Sequence, residues 1–330
     1  MQFRTNENLH TVLPTEKWKG TPTDKNGRFV NHEFAFDVKF GDVLKWKMKG
    51  NAQAKEKLND KWIPPIAQDT DWLHNNKNCI VWLGHSTFFI RLNNTQIVTD
   101  PVFGNLSVLM KRASPFSINP NLLKNIDLLL LSHDHRDHLD KPSIQQFVKN
   151  NPTSTLLTGL DMDNILRQWN VKNQLQTAGW YQKYNTAHTQ VEVFFLPARH
   201  WSRRGLTDTN KRLWGSFLLQ TNHTKIYFSG DTGYGSHLKE VKDLFGDIDY
   251  FICGIGAYKP EWFMHSNHIS PKDALKAANE MQAKHFVPMH YGTFDLSDEP
   301  ISEPIKELKI HGQNLQTNVL MPHLAQAIYF

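Results

Sequence analysis

The sequence predicts an α/β fold of four layers, αββα, in which two packed mixed β-sheets are flanked by helices. Three observations lead there. Two stretches of the chain are rich in short β-type runs, helical periodicity fills the gaps between those runs, and there is no fixed-period repeat of the kind a solenoid or propeller would show. Two β-rich halves with interspersed helices bury their apolar faces best as sheets packed on each other under helices.

Residues 1–78 carry no sustained period, with tryptophan among lysines at 45–49 and a turn at Pro64-Pro65. They read as an N-terminal extension packed on a core of residues 79–330. The core opens with β-rich runs at 80–83, 87–92 and 96–99, the last two joined by the turn pair Asn93-Asn94. The apolar run around 126–131 is too short for a helix and reads as a strand buried on both faces. It ends directly in Ser132-His133-Asp134-His135-Arg136-Asp137-His138, after which Asp140 caps a helix carrying Ile144, Phe147 and Val148 on one face. A strand near 155–158, a helix through Ile165 and Trp169, and strands at 191–196, 213–219 and 225–229 follow. Past Gly230-Asp231-Thr232-Gly233 come a helix over 237–245 and a strand at 250–253. Ser270-Pro271-Lys272-Asp273 starts a further helix, with Ser as cap and Pro at the first helical position. The last strand, 285–288, runs into Met289-His290-Tyr291-Gly292.

Composition excludes several classes. With 39% hydrophobic residues, 21% charged residues and a net charge of +5, the chain has neither the charge density nor the low hydrophobicity of a disordered protein. Its apolar runs fall far short of the roughly 20 residues of a membrane span, and its first eight residues hold no signal-peptide core, so a soluble cytoplasmic protein is expected. Cys79 and Cys253 sit in apolar strand-like runs and read as small buried hydrophobes, in keeping with a reducing compartment.

The functional signal lies in the 17 histidines. The residues just past successive strands are His133, His135, Asp137 and His138, then His200, Asp231 and His290. Buried strands deliver side chains from distant parts of a chain to one rim, and all seven are potential metal ligands. A lone histidine at a strand end is more often a hydrogen-bonded core residue. Four coordinating groups between His133 and His138, by contrast, would be a desolvation liability without a cation. Imidazole and carboxylate suit Zn²⁺, while the absence of cysteine argues against copper(I) or an iron–sulfur cluster. Seven ligands exceed what one tetrahedral ion uses. Two ions about 3.5–4 Å apart, sharing a carboxylate and a water, account for the surplus.

WLGHST (82–87), TDP (99–101), SHDHRDHLD (132–140), PARHW (197–201), SGDTGY (229–234) and MHYGTF (289–294) resemble, in order, the motifs of the metallo-β-lactamase superfamily. Within it, NGRFVN (26–31), HWSRRGL, KRLWGSF, IGAYKPEWFM and NHISPKDA resemble the N-acylphosphatidylethanolamine-hydrolysing phospholipase D family. The resemblance implies that His133, His135 and His200 hold a first zinc, that Asp137, His138 and His290 hold a second, and that Asp231 bridges them. It also implies that Asp100 orients ligating side chains and that His268 stands beside the metals. Arg136 occupies a place where the family often has tyrosine, and Asn267 one where some members have glutamine, so Asn267 is a candidate for substrate binding. Met321-Pro322-His323 departs from the family's usual Gly-Glu ending.

What the resemblance implies is a binuclear zinc phosphodiesterase of phospholipase D type. A metal-bridging hydroxide would hydrolyse N-acylphosphatidylethanolamine-like phospholipids to phosphatidic acid and N-acylethanolamine. Asp137 and His268 are the candidate catalytic side chains, and two Zn²⁺ per chain the cofactors, with iron or manganese as substitutes. A phospholipid substrate suggests peripheral membrane contact through 45–49 and 262–264, against which stand a solvated lysine face and ordinary core packing. No interleaved basic–aromatic stripe points to nucleic acid, and a homodimer is left open. Another hydrolase on the same site (a lactonase or nuclease), a metal-stabilised non-enzymatic protein and a redox di-iron protein are the alternatives.

Overall fold

Side-chain alternation along the strands sets the layering. In the computed structural model, which describes residues 1–33, 40–68, 70–313 and 315–330, Ile80, Trp82, Phe88, Ile90, Ile97, Leu128 and Leu130 join one large apolar cluster. Their neighbours Cys79, Val81, Leu83, Phe89, Val98, Leu129 and Leu131 join another. The first cluster is shared with Phe195, Phe217, Leu219 and Ile252 of the opposing sheet, and the second with Ile144, Phe147, Ile165 and Leu166 of the covering helices Lys141–Asn150 and Met162–Gln168. A strand packed on both faces needs an unbroken apolar run, which is why Leu128–Leu131 is four leucines. Helices Ser236–Phe245 and Pro271–Glu280 lay Leu238, Val241, Ala274 and Leu275 on the second sheet. The expected αββα layering is therefore the fold.

The first sheet has seven strands in the order Ala327–Tyr329, Cys79–Gly84, Thr87–Leu92, Thr95–Thr99, Leu128–Leu131, Thr155–Gly159 and Leu175–Ala178. The second has eight, in the order Asn318–Val319, His285–Met289, Tyr250–Gly254, Lys225–Phe228, Ser216–Gln220, Glu192–Leu196, Gln182–Lys183 and His10–Thr11. Asn93 and Asn94, both at positive φ (47° and 62°), make the tight hairpin turn that the pair predicts. The strand expected at 213–219 starts only at Ser216. Before it, the Leu213 and Gly215 N–H groups bond across to Leu160 O (2.9 Å) and Ser132 O (3.0 Å), stitching the second sheet's approach to the first.

Strand direction positions the site. Cys79–Gly84 and Thr95–Thr99 each pair antiparallel to Thr87–Leu92, and Leu128–Leu131 runs parallel to Thr95–Thr99, so all three leave the sheet at the same edge. In the second sheet, Lys225–Phe228 and His285–Met289 are both parallel to Tyr250–Gly254, while Glu192–Leu196 and Lys225–Phe228 both run antiparallel to Ser216–Gln220. They too share one exit edge. Ligand sites in α/β folds form at such carboxyl ends of strands.

The N-terminal segment reaches the same region. Glu33 accepts from the His237 N–H (2.8 Å) and from the Ser236 hydroxyl, at the start of a helix whose own cap, Gly235, has no side chain to offer. Helix N-termini favour anions. Burial works against the ionised form, yet hydrogen bonds from His237 and Ser236 hold the Glu33 carboxyl down at about 2. Because that value lies below the usual carboxylate range, the stability Glu33 contributes is complete above about pH 4.5 and lost as pH falls toward 2. Urea midpoints measured against pH should therefore show wild type above Glu33→Gln by a constant margin from pH 5 to 7, the gap closing between pH 4.5 and 2.

Candidate metal centre

The two exit edges meet, and all seven expected ligands meet with them. His133, His135 and His200 form one group and His85, Asp137, His138 and His290 another; within each, the ligating atoms lie no more than 4.8 Å from one another. Asp231 stands between the groups. Its Oδ2 is 4.0 Å from His133 Nε2 and 3.8 Å from His200 Nε2 on one side, and 3.1 Å from His290 Nε2 on the other, while its Oδ1 is 3.2 Å from His138 Nε2.

Neighbouring acceptors settle which ring nitrogen faces inward. His138 Nδ1 donates to Asp100 Oδ2 (2.8 Å), His200 Nδ1 to the Asn267 carbonyl (3.0 Å), and His133 Nδ1 to the Ser132 hydroxyl (2.9 Å), which itself donates to Asp100 Oδ2 (2.5 Å). Each Nε2 is thereby left on the inner side, those of His133 and His138 toward Asp231 and that of His200 3.1 Å from His135 Nδ1. Asp100, fully buried and also accepting from the Ser132 N–H (2.8 Å), thus orients two imidazoles at once. The Nε2 atoms of His133, His138 and His290 are buried and have no hydrogen-bond partner. An unsatisfied buried polar atom costs about 1–3 kcal/mol. Three of them converging on carboxylate oxygens suit divalent cations, and nitrogen and oxygen donors without sulfur suit zinc, manganese or iron.

The electrostatics agree. Burial pushes His133 and His200 well below the usual imidazole range and lowers His135. At His138 and His290 burial is overcome by Asp231 and Asp137, which raise the first far above its ordinary value and the second to about 9. Asp137 and Asp231 are in turn held well below theirs: burial works against the ionised form, and His138 and His290 together, joined at Asp137 by His85, overcome it. One buried and one partly buried carboxylate thus call for positive charge at this spot, which protons on the imidazoles or bound cations can supply.

Residues beyond the ligands hold the loops. Asp134 accepts from the Arg203 N–H (2.8 Å) and from Arg212 Nε (2.6 Å), and its carbonyl accepts from Arg204 Nη1 (3.0 Å), so the arginines at 203, 204 and 212 fasten the histidine loop. Gly256 has no room for a side chain, since a Cβ there would meet His290 O at 2.1 Å. Gly230, at φ +57°, turns the chain into Asp231 where a Cβ would approach Gly215 O to 2.8 Å.

One group was missed by sequence reasoning. His85, buried, donates from Nε2 to Asp137 Oδ2 (3.0 Å), and its ring lies 4.1 Å from that of His290. It follows the strand Cys79–Gly84, so the strand-end rule that found the others would have found it. His268 lies where expected, its Nδ1 3.7 Å from Asp231 Oδ2 and its side chain 17% exposed. Asn267 is buried, at 3% exposure, and at the centre it contributes the main-chain carbonyl that orients His200.

Comparison with known proteins gives a consistent picture. The family described as Beta-lactamase superfamily domain matches residues 95–291. The chain is 28% identical over 281 residues to the N-acyl-phosphatidylethanolamine-hydrolyzing phospholipase D 1 of Caenorhabditis elegans, covering 81% of this chain and 79% of that one. It is 34% identical over 266 residues to the mitochondrial N-acyl-phosphatidylethanolamine-hydrolyzing phospholipase D of Saccharomyces cerevisiae, covering 77% of this chain and 55%, about half, of the yeast protein. Among solved structures, a metallo hydrolase from the archaeon Ignicoccus hospitalis superposes with a TM-score of 0.59 at 19% identity, covering 77% of this chain and 98% of that one, which is a likeness of fold.

Asp100→Asn tests the role of the outer carboxylate. An amide there can donate to His138 Nδ1 and drive the proton to Nε2, the nitrogen facing Asp231. Competition with a chromophoric chelator should show metal affinity lowered about 10–100-fold, while a variant with wild-type affinity would remove Asp100 from the design of the centre.

Proposed function

The chain belongs to the metallo-β-lactamase superfamily of metal-dependent hydrolases, and we propose that it is a binuclear phosphodiesterase of phospholipase D type acting on N-acylphosphatidylethanolamine-like phospholipids. One observation carries the reading: two ligand groups, His133, His135 and His200 against Asp137, His138 and His290, flank the single carboxylate of Asp231. Each group would hold one divalent cation, Zn²⁺ first among the candidates, with Asp231 shared. Such ions would supply Lewis-acid chemistry, polarising a phosphoryl oxygen and lowering the pKa of a bound water toward about 7. In the same proposal, residues 79–330 are the hydrolase domain and 1–78 an extension that covers it.

The chain's own groups supply the rest. Asp137 keeps a partly exposed carboxylate whose Oδ2 faces His85 at 3.0 Å and His290 at 3.4 Å, so its position is fixed, and in this proposal it relays a proton at the centre. Burial lowers His268 to about 4, leaving a neutral ring at pH 7. A neutral imidazole at the mouth donates a hydrogen bond to a phosphoryl or leaving oxygen without the charge of a cation. Hydrolysis at phosphorus breaks the bond to the head group and yields phosphatidic acid and N-acylethanolamine.

The same proposal assigns the lipid a surface on the N-terminal helix. Helix Phe40–Lys49 exposes Leu44 and Met48, and its Lys45 and Lys49 lie over the exposed Trp262 ring at 5.0 and 5.3 Å. Trp46 stacks on Phe263 at 5.3 Å, whereas Met264 is buried as core. Basic and apolar groups set side by side suit an anionic membrane surface. No helix among the described residues is long and apolar enough to cross a membrane.

Product analysis by mass spectrometry, after incubating zinc-loaded protein with a panel of phosphodiesters and lactones, tests the reading. Phosphatidic acid and N-acylethanolamine are the expected products; turnover of a lactone alone overturns it. His268→Ala should lower kcat by about 10²-fold or more with metal content unchanged, where a purely structural histidine would leave kcat intact.

A further inference from the structure

Asn31 and Glu33 belong to the N-terminal segment, yet Asn31 makes buried hydrogen bonds with His200, and Glu33 makes partly buried ones with the start of the helix that follows the Asp231 loop. Asn31 Nδ2 donates to the His200 carbonyl (2.9 Å), and the His200 N–H donates to Asn31 Oδ1 (3.1 Å), so one side chain satisfies both backbone groups of a ligand residue. The amide of Asn31 offers a donor and an acceptor on one planar group, the pair that the two backbone groups of His200 need. Two positions on, Glu33 accepts from the His237 N–H (2.8 Å), and His237 Nε2 lies 2.8 Å from the Thr232 hydroxyl. That hydroxyl accepts from the Arg199 N–H (3.0 Å), and the Gly233 N–H donates to Arg199 O (2.8 Å). The two threads therefore converge on residues 199–200 and on Thr232, the neighbour of Asp231. Phe29 ties the approach down, its N–H donating to Asn210 O (2.8 Å), while Asn210 exchanges hydrogen bonds with Ser202 at 2.8 and 3.1 Å.

We propose that residues 29–33 form a clasp that positions His200 and Asp231, with Asn31 as its positioning residue. Cation binding at the His133, His135 and His200 group then depends on a side chain that touches no cation. The dependence is reciprocal, because a ligand that needs the clasped arrangement must stabilise it in return. The proposal rests on the reading of His200 and Asp231 as metal ligands. It accounts for the NGRFVN run, which ends at Asn31 and which the chemistry at the centre leaves without a task.

Two measurements on the full chain test it. In the wild-type protein, hydrogen–deuterium exchange with zinc bound and after chelation should show peptides spanning 26–33 and 197–202 exchanging about tenfold faster once zinc is removed, with the inner strand at 87–92 unchanged. In Asn31→Leu, which matches the shape but neither donates nor accepts, chelator competition should show one zinc equivalent weakened about 10–100-fold and the other unaffected. Asn31→Asp, which keeps the acceptor for the His200 N–H, should fall between. Excess zinc should restore turnover in Asn31→Leu. If zinc removal leaves 26–33 unchanged, or if folded Asn31→Leu binds both equivalents as wild type does, the clasp is wrong while the metal centre stands. If the wild-type protein binds no zinc, manganese or iron, the metal reading fails and takes the clasp with it. Should Asn31→Leu fail to fold, the wild-type exchange data and Asn31→Asp still decide.

Discussion

A carboxylate buried among imidazoles is the constraint on which the rest of this structure depends. The Asp231 side chain retains 2% of its exposure and has His133, His138, His200, His268 and His290 within 4.0 Å. An isolated charge in such a place would be expelled or neutralised. Here it is kept ionised by positive charge around it, and each layer of the surroundings serves that arrangement. Asp100, Ser132 and the Asn267 carbonyl turn the inner nitrogens toward Asp231, and the arginines on Asp134 hold the loop from which three of the imidazoles come.

The fold makes such a site affordable by separating delivery from support. Six strands from two sheets exit at one edge and each presents one or a few polar residues, while their apolar faces remain in the core. The N-terminal segment and the arginines then brace loops that would otherwise be free at the rim. Preorganised dipoles and charges aimed at one small volume are what hydrolysis requires.

Much of this was legible in the sequence, for identifiable reasons. Strand Leu128–Leu131 announced itself by composition, and the cluster at 133–138 by a density of ligands that has no bland explanation. Strand-end placement then gathered His200, Asp231 and His290 from distant parts of the chain. His85 was within reach of the same rule but lies in a short turn between adjacent β runs, where it reads as connection. Asn31 and Glu33 were out of reach, because their partners lie 169 and 204 residues away and the segment around them has no period. The two-residue edge strands and the closing strand Ala327–Tyr329 are too short to carry a pattern. Helix Glu303–His311 did offer one, with Pro304 at its start and Ile305 and Leu308 buried beneath it.

The central claim is that two cations sit on either side of Asp231. Anomalous diffraction at the zinc edge, from crystals grown with zinc, measures this directly. The account predicts two peaks about 3.5–4 Å apart, one among His133, His135 and His200 and the other among Asp137, His138 and His290, with Asp231 touching both. A single peak, or density only at surface histidines, would contradict it.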